Sequence, residues 1–129
     1  MADKGGGKGE RQVGIKIREE ETMAELTIIW PGASGKTYKY WITPIDSSYK
    51  DESGNYIFAK ESSPGKWTPV YIGETESLCD RLANHDKLPC VKRYGGTHIH
   101  THTTSGGQAV RRTEESDLLA KWDPPCNKE

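Results

Sequence analysis

The sequence predicts an α+β fold: a small, mainly antiparallel central sheet flanked by helices, with an extra β-hairpin on its N-terminal side. Three observations carry that expectation. Two pairs of runs rich in β-branched and aromatic residues lie before residue 74, each pair separated by turn chemistry. Ser77 with Asp80 forms a capping pattern ahead of a short helical spacing. Ser105 with Gln108 opens a longer helical stretch that Pro124-Pro125 ends.

The elements follow in order. Glu25 to Trp30 and Thr37 to Ile45 read as a hairpin around the Pro-Gly-Ala-Ser-Gly stretch. Asn55 to Lys60 and Trp67 to Gly73 read as a second hairpin around Pro64-Gly65. Strict alternation along the latter strand points Val70 and Ile72 one way and Tyr71 the other. A short helix runs from Ser77 to about His85, with Arg81 and His85 one turn apart on one face. Thr97 to Thr104 reads as a strand carrying His98, His100 and His102 on a single face. The last helix continues to about Trp122, and Glu115 borders its apolar stripe of Leu118 and Leu119.

With 129 residues, the chain has room for one core. Residues 1–12 are expected to be a disordered lead-in, 13–50 a hairpin extension and 51–129 the main domain. Hydrophobic residues make up 33% and charged residues 29%, a balance that favours a small soluble domain. No apolar run approaches the roughly 20 residues that cross a bilayer, so no membrane partner is expected. The Gly- and Lys-rich first dozen residues lack the apolar stretch of a secretory signal, and a cytoplasmic location is the default. Cys79, Cys90 and Cys126 are odd in number and widely spaced, which predicts free thiols. The net charge of −1 gives no global attraction to nucleic acid, but no carboxylate occurs from Lys87 to Arg112. Lys92, Arg93, Arg111 and Arg112 in that block form a candidate phosphate-binding surface.

Gly54-Asn55-Tyr56-Ile57, then Val70-Tyr71-Ile72-Gly73, then Arg81 ten residues after Tyr71, then Glu115 with Asn127 twelve residues beyond it, make an ordered set. Over residues 54–127 this set resembles the GIY-YIG nuclease family. The resemblance implies a metal-dependent endonuclease hydrolysing DNA phosphodiester bonds, with Tyr71, Arg81, Tyr56 and His85 catalytic, Glu115 holding Mg²⁺ or Mn²⁺, and Asn127 supporting the site. It implies Tyr71 as general base, with Tyr56 and His85 orienting the water or sharing its proton. There are two departures from the family pattern. The step from Tyr56 to Tyr71 is longer than usual, and Glu74 stands where many members place a lysine.

The residue types suit the chemistry independently of the resemblance. Phosphodiester hydrolysis needs a deprotonated water, stabilised phosphoryl charge and an accommodated leaving group. A hard divalent cation is often held by one or two carboxylates plus water and phosphate, which Glu115 can begin to provide. Arg81 supplies a fork of fixed positive charge. A phenol titrates near 10, so a tyrosine base needs an environment that favours its phenolate.

Two other readings belong to different classes. One is a nucleic-acid-binding module on the same fold without catalysis, motivated by Glu74. The other is a metal-binding protein built on His98, His100 and His102. Same-face residues on a strand stand about 6.5 to 7 Å apart, however, so three such imidazoles converge poorly on bonds of about 2 Å. The remaining bland readings are half-buried strand tyrosines, a solvated Arg81 and His85 face, and an Arg111–Glu115 surface pair. So small a domain has little surface for reading base order, which suggests a partner protein or a homo-oligomer.

Overall fold

The computed structural model describes residues 26–129. The expected lead-in and residues 13–25 of the hairpin extension lie outside them. Five strands form one antiparallel sheet in the order β1-β2-β5-β3-β4: β1 Thr27–Pro31, β2 Thr37–Pro44, β3 Gly54–Ser63, β4 Lys66–Thr75 and β5 His98–His102. Three α-helices accompany it, α1 Leu78–Ala83, α2 Leu88–Arg93 and α3 Gly107–Lys121, followed by a 3₁₀ turn at Pro125–Asn127. The β1–β2 hairpin shares this sheet, because β2 pairs with β5.

Each face of the sheet packs its own core. Tyr56, Phe58, Val70 and Ile99 meet Leu78 of α1, Cys90 and Val91 of α2, and Cys126. On the opposite face Trp30, Tyr38, Tyr40, Ile57, Ala59 and Ile72 meet Leu118 of α3. The register of β3 against β4 shifts twice, between Glu61 and Ser63 near the turn and between Phe58 and Ala59. Phe58 pairs with Tyr71 and Ala59 with Pro69, which leaves Val70 as the extra residue of a β-bulge. Val70 therefore packs on the face of Tyr56 while Ile72 packs under α3, which corrects the expectation that they share a face.

Local signals explain most of the boundaries. Gly35 and Gly65 take the left-handed conformations of the two hairpin turns, at φ 91° and 76°. Ser77 caps α1 by accepting the Asp80 amide at 3.1 Å. The expected Ser105 cap does not form. Gly106 occupies the N-cap of α3 with no side-chain hydrogen bond, while the C-terminal stop falls at Trp122 as the prolines require. Helix α2, too short and too basic to show an apolar periodicity in the sequence, begins with proline in its first turn and buries Cys90 and Val91. The free-thiol expectation is also corrected, since Cys90 and Cys126 are joined in a disulfide and Cys79 alone is free and exposed. The two cysteines lie far apart in sequence, and only the packing of the chain end against α2 brings them together. No helix among the described residues is long and apolar enough to cross a membrane.

Candidate functional site

Tyr56 and Tyr71 lie on neighbouring antiparallel strands, their rings stacked at 24° with centroids 6.1 Å apart. His85, just past α1, stands edge-on to both, at 5.5 Å from the Tyr56 ring and 5.0 Å from the Tyr71 ring. Tyr56 is 1% exposed, whereas Tyr71 is only half-buried. Tyr71 reaches this face by ordinary alternation, since it pairs with Phe58, two residues along from the Tyr56–Gly73 pair, and the β-bulge beyond it adds Val70 to the same side. Gly73, the cross-strand partner of Tyr56, provides the space: a β-carbon there would stand 2.6 Å from the Tyr56 hydroxyl and 3.0 Å from the Tyr71 ring.

The hydrogen bonds assign the tautomer of His85. The Lys87 amide donates to its Nδ1 at 3.0 Å, so that nitrogen carries no proton. Burial, with nearby Arg81 adding to it, lowers the imidazole from 6.5 to about 4, so the ring is neutral near pH 7. Its proton therefore sits on Nε2, which donates to the Tyr56 hydroxyl oxygen at 2.7 Å. Burial pushes the Tyr56 phenol up and adjacent Tyr71 pushes it further, while Arg81 acts against both by favouring the phenolate. Arg81 is itself held by Asp86 at 2.8 Å and keeps a partly exposed side chain.

Asn127 braces the strand beneath this cluster. Its Oδ1 accepts the Ile72 amide at 2.8 Å and its Nδ2 donates to the Ile72 carbonyl at 2.9 Å. It substitutes for a strand partner on β4, at the edge of the sheet.

Glu115 lies on α3, which packs against the other face and the β4 edge. It is within electrostatic reach of Tyr56 and Glu74. Burial, reinforced by Glu74, raises its carboxyl above the usual range. Glu115 makes no ion pair among the described residues, so the Arg111–Glu115 surface pair does not form; Glu114 instead pairs with His102 at 3.3 Å. Glu115 suits Mg²⁺ or Mn²⁺ as one hard oxygen ligand whose crowded negative charge a cation would relieve, with water or phosphate completing the shell. Among the described residues no group of three or more His, Cys, Asp or Glu converges into an all-protein metal cage.

The four basic residues expected to face phosphate separate. Arg111 is 4% exposed, and its Nε pairs with Glu74 at 3.1 Å, which removes it from the surface. Arg112 stays exposed and lies 3.5 Å from the same carboxylate. Arg93 pairs with Glu129, and Lys92 is exposed. The histidines of β5 also have separate partners. His98 meets the Trp67 ring edge, His100 accepts from the Trp30 indole at 3.0 Å, and His102 meets Glu114. A cavity of about 480 Å³ lined by Ile28, Ile42, Trp67 and His98 lies apart from the tyrosine cluster.

Lys87 and Asp86 enter this arrangement without a sequence signal for these roles, because each acts through a contact that the fold creates. No family model matches the chain, and neither a curated protein nor a solved structure matches it.

Proposed function

We propose that this protein is a metal-dependent endonuclease that hydrolyses DNA phosphodiester bonds with GIY-YIG-type chemistry. The observation that carries the reading is the hydrogen bond from neutral His85 to Tyr56, with Tyr71 against both rings and Arg81 alongside. Two phenols, a neutral imidazole and a guanidinium rarely cluster for packing alone, since buried polar groups are costly unless they are paired.

In this reading Tyr71, acting as the phenolate, takes the proton of the attacking water as the water oxygen bonds to phosphorus and the P–O bond to the leaving alkoxide breaks, because Tyr71 is the member of the pair that reaches solvent. Tyr56 and His85 hold its ring in place and relay charge through their shared hydrogen bond. Arg81 offers its free donors to the phosphate. A divalent cation at Glu115 would stabilise negative charge on the phosphoryl oxygens. Asn127 fixes the height of β4, and Arg112 and Lys92 contribute attraction to the DNA backbone.

A second reading, a DNA-binding module without catalysis, draws on Glu74, which engages two arginines and adds negative charge near Glu115. Supercoiled plasmid incubated with the protein and Mg²⁺ or Mn²⁺ separates the two. Nicking that disappears with EDTA and in Glu115→Ala is the expected result. Binding to the plasmid with no cleavage under either metal would sink the nuclease reading.

A further inference from the structure

Arg111 stands out as a buried cation at the junction of three elements. Its Nε donates to Glu74 on β4 at 3.1 Å, and its backbone carbonyl accepts from Asn55 Nδ2 on β3 at 2.9 Å. Asn55 and Glu74 are cross-strand partners, on the rung next to the one that pairs Tyr56 with Gly73. One residue of α3 therefore grips both members of that rung. Glu115 follows four residues later, one turn along the same helix face.

We propose that Arg111 is a positioning residue: by binding Glu74 and Asn55 together it sets the height and rotation of α3, and so places the Glu115 carboxylate relative to the tyrosine pair. The inference rests on the nuclease reading and assigns Glu74 a part in it. Glu74 is the anchor for α3, in the place where the resembled family often has a lysine.

The energetics favour a geometric role. A buried ion pair loses much of its attraction to desolvation, and an apolar pair of similar volume is often as stable. Arg111 and Glu74 have side chains only 5% and 12% exposed, so the pair is a poor source of net stability. It is a good source of register, because a charge left alone there is strongly penalised and one arrangement of α3 satisfies it. Arg112 touches the second oxygen of Glu74 at 3.5 Å from the solvent side, which keeps the carboxylate neutralised without burying another cation. Glu74 is thereby committed to the arginines, and Glu115 remains for the metal.

The test uses the full chain carrying Arg111→Gln, Glu74→Gln, and both together, each checked for folding by circular dichroism. Each single variant is expected to lose roughly ten- to a hundredfold in kcat for plasmid nicking, the size of loss that a small displacement causes. KM for DNA should hold within about twofold, and the double variant should recover part of kcat because it leaves no unpaired buried charge. A rise in KM with a shallower salt dependence in Arg111→Gln would make Arg111 a phosphate contact and overturn the proposal. Lower stability with kcat unchanged would overturn it too. Paramagnetic broadening of Glu115 resonances by Mn²⁺ gives a readout independent of cleavage. If the wild-type protein cuts no DNA but broadening at Glu115 is lost in Arg111→Gln and regained in the double variant, the nuclease reading fails and the positioning role stands. If wild-type broadening persists unchanged in Arg111→Gln, the positioning role fails by itself.

Discussion

Tyr56 and His85 show how much a single hydrogen bond can determine. The Lys87 amide fixes the tautomer of His85, and the tautomer fixes the direction of its bond to Tyr56. Tyr56→Phe would leave the Nε2 proton of His85 unpaired in a buried place, which costs about 1–3 kcal/mol. Urea unfolding should register that loss, and an unchanged midpoint would contradict the hydrogen bond described. The pH dependence has a definite sign. In the folded protein His85 is depressed from 6.5 to about 4, so the unfolded chain binds the proton first as pH falls. Its contribution is present above pH 6.5 and is lost on descending towards pH 4. Buried His100, lowered to about 3 by burial and by His98, acts in the same direction. The His85→Gln variant should therefore show a flatter stability profile between pH 7 and 4.5 than the wild-type protein, and parallel profiles would contradict the assignment.

Among the elements, β4 is the most constrained. It bulges at Val70, yields space at Gly73, and is braced by Asn127 at Ile72. Gly73→Ala tests that constraint directly. The added methyl would stand 2.6 Å from Tyr56, so the ring or the strand must move, at about 1–3 kcal/mol. Thermal denaturation measures the cost, and a crystal structure of the variant should show Tyr56 displaced from His85. Gly35→Asn is expected to leave Tyr56 in place, because that turn has open space and the only cost there is the left-handed backbone at φ 91°, which asparagine bears better than most residues.

At the scale of the molecule, two cores share one sheet among the described residues, and Cys126 is stapled to α2. The Cys90–Cys126 link closes a loop of 36 residues, for which chain entropy gives about 4 kcal/mol of stabilisation. Denaturant unfolding with and without reductant should show a loss of that order, together with weaker protection of the Ile72 amide that Asn127 holds. Equal stability in both conditions would mean that the staple contributes nothing. Such links are rare in reducing compartments, so the thiol state of protein isolated from cells bears directly on the cytoplasmic expectation.

The sequence by itself determined what depends on neighbours along the chain. The two hairpin turns, the Ser77 cap, the end of α3 before its prolines, and the alternation that puts His98, His100 and His102 on one face are all local, and each was legible. So was the pairing of strands that brings Tyr56 beside Tyr71, since a hairpin needs only its turn and its pattern. Tertiary structure alone decided the rest. The bulge at Val70 arises from how two strands and two cores are reconciled, and the disulfide from where the chain end docks. Arg111 looked from its basic neighbourhood like a surface cation; Glu74, 37 residues away, made it a buried one. A charge pattern read along the chain reports composition, but burial and partner choice depend on which distant groups the fold brings within a few ångströms, where Coulomb attraction and desolvation compete.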